Sequence, residues 1–210
     1  MSRADTVVIL DFETTGLSPD VGDRAIEIGA VRVVNGKIQE SFQELMNPGR
    51  RITGFIEGYT GITNAMIKDA PPCAEVMHRF ADFLGNDNVV AHNASFDKRF
   101  LDAELSNIHR SYQGQFACSM LAARRLYQDA PNHKLGTLVE YANLSGDGVF
   151  HRALYDSEMT AKLWLTMLSD ISGRYEIASI PFKLLLKLTK TPTKSVDDFF
   201  EKYAETAGVR

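Results

Sequence analysis

The segment Thr6-Val-Val-Ile-Leu-Asp-Phe12 is apolar on both of its alternating faces up to Asp11. Only a central strand covered on both sides satisfies that pattern, so the chain must build a sheet with structure packed above and below it. Ala25 to Val34 reads as a second strand, Asn35-Gly36 as a type I′ hairpin turn, and residues 37–46 as the returning third strand. From Gly61 onward the pattern becomes helix–strand–helix. Residues 74–84 are amphipathic, 88–91 form a short buried strand, and 95–105 are helical. Further helices are expected over 119–127, 135–142 and 154–168. An antiparallel three-strand meander followed by α/β units predicts an α/β fold: a mixed sheet with helices on both faces.

A chain of 210 residues suits one domain with a small appendage, and it is long enough to bury a core without staples. Its 44% hydrophobic and 24% charged residues exclude disorder and fibrous repeats. No apolar run approaches the ~20 residues of a membrane span, and Val7 to Leu10 is too short for a signal peptide. Cys73 and Cys118 stand far apart and form neither a disulfide framework nor a CxxC pair. A cytoplasmic protein without a membrane partner is the expectation. The formal net charge of −4 argues against gripping nucleic acid by global electrostatics and leaves a local site open. Composition shifts after Ser172-Gly173, which predicts a main domain over 1–172 and a helical appendage over 173–210. In the appendage Lys183, Lys187 and Lys190 recur at helical spacing, as a solvated face or a track for a phosphate backbone. Ser195 is placed to cap a last helix whose Val196, Phe199, Phe200 and Tyr203 share one face, which either packs onto the domain or docks a partner.

Acidic residues stand where a core should be. Asp11 and Glu13 end the most apolar strand and, two apart, point to the same face about 7 Å from each other. Carboxylates projecting together from a buried strand repel and lose hydration, so they call for a cation between them; the other reading is that both reach solvent. Asp97 opens a helix, where an acid suits the macrodipole, yet it shares the core-facing stripe of Phe100 and Leu101. Asp156 repeats this with Met159, Leu163 and Met167. His151, five residues earlier, belongs in the loop before that helix, since positions five apart on a helix diverge by about 140°. His92 ends a buried strand just before Asn93. Four carboxylates without a Cys or a close His pair suit Mg²⁺ or Mn²⁺, and their charge balances two such ions. Two divalent ions about 4 Å apart clamp the attacking and leaving oxygens of an in-line phosphoryl displacement, and a neutral His can activate the water. The chemistry within reach is phosphodiester hydrolysis.

Asp11-Phe-Glu13-Thr-Thr-Gly-Leu17, Ala91-His-Asn-Ala-Ser-Phe-Asp97 and His151-Arg-Ala-Leu-Tyr-Asp156 resemble, in order and spacing, the three motifs of the DEDDh (DnaQ-like) 3′→5′ exonucleases. The resemblance covers about residues 6–168. It implies a ribonuclease H-like sheet, two Mg²⁺ or Mn²⁺ ions, and release of 5′-mononucleotides from a 3′ end. It also implies that Asp11, Glu13, Asp97 and Asp156 are metal ligands and that His151 is the general base. Thr14, Thr15, Gly16 and Leu17 follow the first motif, where family members bind the terminal nucleotide, and Gly16 would permit close backbone approach. Gly61-Ile62-Thr63 resembles the segment that packs an apolar residue on the terminal base, and His92, Asn93 and Phe96 would shape the same pocket. For Leu17, Ile62 and Phe96, core packing is the standing alternative. One departure is Cys118-Ser119, where many members have Asp-Thr. The motifs look closest to the exonuclease X branch, which favours single-stranded or frayed DNA 3′ ends over RNA as partner. A polymerase or repair partner fits the resemblance, and the rival to an active enzyme is a silent accessory module.

Overall fold

In the computed structural model, residues 2–148 and 150–206 are described. Five strands, β1 (Val7–Thr14), β2 (Ala25–Val34), β3 (Lys37–Leu45), β4 (Val89–Ala91) and β5 (Phe116–Cys118), form one sheet in the order β3-β2-β1-β4-β5. The first three make the antiparallel meander; β4 runs parallel to β1, and β5 parallel to β4. Asn35 and Gly36 join β2 to β3 with φ of 51° and 76°, the two left-handed residues that a type I′ turn needs. The helices are α1 (Gly54–Thr60), α2 (Asn64–Lys68), α3 (Cys73–Leu84), α4 (Ser95–Asn107), α5 (Ser119–Leu126), α6 (Leu135–Tyr141), α7 (Ala153–Tyr175), α8 (Phe182–Leu188) and α9 (Val196–Thr206).

The alternation of β1 sorts its side chains between two cores. Val8, Leu10 and Phe12 pack with Val76 and Phe80 of α3 and with Phe100 and Leu101 of α4. Val7 and Ile9 face the other way, onto Trp164 and Met167 of α7 with Ala122 of α5 and Leu138 of α6. Each fully buried large apolar side chain contributes about 1.5–3 kcal/mol, so a strand sandwiched in this way is fixed in depth and register. The Trp164 indole N–H donates to Ala4 O at 2.8 Å, which satisfies the one polar atom that the ring carries inside. Cys73 and Cys118 are both free. No helix among the described residues is long and apolar enough to cross a membrane.

Four elements go beyond the expected pattern. Helices α1 and α2 occupy a stretch with no apolar periodicity; Thr53 and Thr63 cap their starts, and Gly61, at φ 70°, ends the first. Strand β5 is three residues long, too short to announce itself. Helix α7 carries through Ser172-Gly173 and ends at Tyr175. Beyond it, Phe182, Leu185 and Leu188 of α8 and Phe200 of α9 enter the same core as Val7 and Ile9. The Val196/Phe199/Phe200/Tyr203 face is turned inward: Val196 and Phe200 are buried, with Phe199 and Tyr203 packed beside them. Packing onto the domain therefore uses that face, not a docked partner. Lys183, Lys187 and Lys190 are exposed.

Candidate active site

The parallel strands β1 and β4 end side by side, and a cleft of about 750 Å³ opens beyond their carboxyl ends. Asp11 and Glu13 line it from β1, Asp97 from the first turn of α4, Asp156 from the first turn of α7 and His151 from the preceding loop. All five of these residues are thus brought to one place. Asp97 Oδ1 accepts the backbone N–H of Phe12 at 3.1 Å, which ties α4 to β1 at the level of the acids. Asp156 reaches back across its helix terminus, where Oδ2 accepts the N–H of His151 at 3.1 Å. Its other oxygen, Oδ1, is buried with no hydrogen-bond partner among the described residues. Ligand atoms of Glu13, His151 and Asp156 lie within 4.8 Å of one another.

Two devices that carry no motif set the position of Asp156. At Gly29 on β2, α7 comes so close that a Cβ would stand 2.1 Å from the backbone of Ala153 and Leu154, and Ser157 Oγ donates to Gly29 O at 2.9 Å. Two residues away, the fully buried Glu27 accepts from Arg152 Nε and Nη2 at 3.2 and 2.8 Å and from the N–H of Ala153 at 3.1 Å. Glu27 therefore caps α7 from across the sheet, which Arg152, at the N-cap position, does not do with its own side chain. It also engages the Arg152 guanidinium, whose charge offsets only in part the repulsion that Glu13 feels from the neighbouring acids.

Their protonation reflects this. Burial, then the charges of Asp97, Glu13 and Asp156, pushes Asp11 well above the usual carboxylate range. Burial and the neighbouring acids raise Glu13 to about 8. Burial raises Asp97 to about 7 against the opposing Phe12 hydrogen bond, and Asp156 to about 6 against that of His151. Burial lowers His151, so its imidazole is neutral near pH 7. Buried carboxylates, one with an oxygen unpartnered among the described residues, are a donor set for hard divalent ions. The residues present fit such ions.

Thr14, Thr15, Gly16, Leu17, His92, Asn93 and Phe96 also line the cleft. Leu17 is 79% exposed, so core packing does not explain it. At Gly16 the loop itself requires a glycine, because a Cβ there would meet the Asp23 carboxylate at 2.4 Å. That carboxylate accepts from Thr15 Oγ1 at 3.1 Å and Ser18 N at 3.2 Å and so folds the loop. His92 is locked, with Nδ1 2.9 Å from Ser119 Oγ and Nε2 2.9 Å from His133 O, and burial drives its pKa to about 4. Ser119, the departure from the Asp-Thr pair, thus holds the histidine, and its Oγ also lies 3.2 Å from Ala91 O. Ile62 is the correction: it is fully buried with Ile26, Ile52 and Ile67 and does not line the cleft. Its neighbours Gly61 and Thr63 are committed to helix caps, which turns Ile62 inward. In its place α1 supplies Phe55, Ile56, Tyr59 and Thr60 to the wall, residues that no periodicity marked.

Residues 8–164 match the family model described as RNase_T, Exonuclease. The chain is 38% identical over 194 residues to a DNA polymerase III PolC-type of Caldanaerobacter subterraneus subsp. tengcongensis, covering 90% of this chain and 14% of the polymerase. It thus spans a small part of the length of that relative. Its structure is similar to that of exonuclease X in complex with 5′ overhanging duplex DNA, with a TM-score of 0.70 and 30% identity over 87% of this chain and 98% of the other. The mixed sheet and its helices are shared with the nuclease domain of 3′hExo, a DEDDh family member bound to rAMP, at a TM-score of 0.65 and 23% identity over 79% of this chain and 92% of that domain.

Proposed function

The chain belongs to the exonuclease family, of the DEDDh type, and on that footing we propose that it is a metal-dependent 3′→5′ exonuclease acting on DNA. The observation that carries the reading is the convergence of Asp11, Glu13, Asp97 and Asp156 on one cleft, with Asp156 Oδ1 buried and unpartnered among the described residues. These four side chains would hold two Mg²⁺ or Mn²⁺ ions. When bound, the ions supply Lewis acidity at the scissile phosphate. His151, neutral at physiological pH, takes the proton of the attacking water. The loop from Thr14 to Leu17, with Asn93 and Phe96 opposite, seats the terminal nucleotide, and Leu17 offers an apolar edge to its base.

DNA is favoured over RNA because the relative is named a DNA polymerase and the similar exonuclease X structure holds DNA. A polymerase partner fits the same relative. A cytoplasmic setting suits two free cysteines, and an appendage over 173–210 that buttresses the nuclease domain suits the way α8 and α9 pack. The test is a matched assay with 5′-labelled single-stranded DNA and RNA of one sequence in Mg²⁺, beside Asp11→Asn and His151→Ala. A ladder shortening from the 3′ end, faster on DNA and lost in both variants, is expected. Faster RNA trimming would overturn the substrate class, and tight binding without cleavage would leave a silent module.

A further inference from the structure

This inference rests on the reading of His151 as the base and concerns what aims it. A catalytic imidazole is ordinarily oriented by a third group hydrogen-bonded to its far nitrogen. His151 departs from that pattern. Its backbone sits in the left-handed region at φ 67°, and its N–H is spent on Asp156 Oδ2. Neither ring nitrogen has a hydrogen-bond partner among the described residues. What touches the imidazole is Tyr59, with ring centroids 4.0 Å apart and planes inclined by 36°. One helical turn back, Phe55 lies 6.0 Å from Tyr59 and nearly parallel to it, at 8°.

Core formation does not account for these two aromatics, since Phe55 is 76% and Tyr59 52% exposed. Yet the helix that carries them is held firmly. Thr53 Oγ1 accepts from Ile56 N at 3.3 Å, and Glu57 Oε1 accepts from Asn64 N and Nδ2 at 2.6 and 2.9 Å. Asn64 also closes a two-way bridge with the backbone of Ile52, at 2.9 and 3.0 Å. Ile56 packs onto the Ile26, Ile52, Ile62 and Ile67 cluster beneath. A rigid arm thus presents an exposed ring to the one imidazole in the cleft that lacks a hydrogen-bonding orienter.

We propose that Tyr59 is a positioning residue whose ring, backed by Phe55, holds the His151 imidazole beside Glu13 and Asp156. Contact with the inclined tyrosine ring restricts the imidazole and leaves both nitrogens available, one to take a proton from water. A displacement of about 1 Å at such a group costs up to roughly 100-fold in rate.

Tyr59→Ala, Tyr59→Phe and His151→Ala would be compared by steady-state cleavage in Mg²⁺ and by proton resonances of the metal-free proteins. Tyr59→Ala is expected to lower kcat by roughly 10–100-fold with KM little changed. Tyr59→Phe, which keeps the ring, recovers the turnover. In the spectra the His151 ring protons, shifted upfield by the tyrosine ring current, move back toward free histidine in Tyr59→Ala and stay in place in Tyr59→Phe. A raised KM with kcat kept would make Tyr59 a substrate contact only and overturn the proposal, as would unmoved His151 resonances in Tyr59→Ala. If His151→Ala kept the wild-type kcat, the base assignment would fall and this inference with it. If His151→Ala were slow while Tyr59→Ala kept full turnover, the inference alone would fall.

Discussion

Adding a single methyl group at Gly29 should pull Asp156 out of the carboxylate cluster. A Cβ there would stand 2.1 Å from Ala153 C and from Leu154 N, both backbone atoms, so no side chain can swing aside. Either α7 withdraws by more than an ångström or β2 bends. Overpacking of a closed contact costs about 1–3 kcal/mol, and losing the Ser157 Oγ bond to Gly29 O adds about 1 kcal/mol. Gly29→Ala is therefore expected to destabilise the protein by roughly 2–4 kcal/mol. Moving Asp156 by about 1 Å should also slow turnover by roughly 100-fold. Urea unfolding can be followed by the fluorescence of Trp164, the only tryptophan, which is fully buried. Single-turnover cleavage in saturating Mg²⁺ reports the second effect. Gly173→Ala is the control: it lies inside α7 with nothing within 4 Å of an added Cβ, and should stabilise by up to about 1 kcal/mol. Wild-type midpoint and turnover in Gly29→Ala would refute the reasoning that α7 is seated by that contact.

Between pH 6.5 and 8 the metal-free protein should lose stability as pH rises. Glu13, at about 8, and Asp97, at about 7, hold protons in the fold that the unfolded chain has already released, while the opposing contribution of His92, at about 4, is confined below 6.5. Thermal melts in EDTA should therefore fall across this window, and the rise on adding Mg²⁺ should grow with pH; melts that climb with pH in EDTA would contradict it. Asp11→Asn should raise the metal-free melting temperature, because it removes the carboxylate that burial and its neighbours most oppose, and should abolish cleavage; a lowered melting temperature would count against the repulsion. His92→Ala should cost about 1–3 kcal/mol in urea titration by stranding His133 O. Glu27→Ala should cost about 2 kcal/mol in the same titration, below the figure for a fully buried pair because Arg152 is 37% exposed.

Much of this centre could be read from residue order, because its acids interrupt patterns that are otherwise regular. Asp11 and Glu13 break the most apolar strand, Asp97 sits on the stripe of Phe100 and Leu101, and Asp156 leads Met159, Leu163 and Met167, all buried. Other parts depend on partners far away in the chain. Glu27 stands in an apolar strand, and the arginine that makes it a helix cap is 125 positions on. Gly29 looks like any strand glycine until α7 is laid against it. Phe55 and Tyr59 lie on a short helix that contains Gly54 and Gly58 and is held by caps and by the Glu57–Asn64 clamp, so no periodicity betrays it. Helix α7 runs on through Ser172-Gly173, because a helix packed along its length tolerates one interior glycine at about 1 kcal/mol.

The claim on which the rest depends is that Asp11, Glu13, Asp97 and Asp156 form one centre for two divalent ions. Titration of the metal-free protein with Mn²⁺, counting bound ions by calorimetry and by the loss of the free-ion paramagnetic signal, tests it directly. Two ions per chain are predicted, with cleavage appearing as the second binds and both lost in Asp156→Asn. Binding of no ion at saturating Mn²⁺, or full cleavage by protein stripped with EDTA, would contradict it.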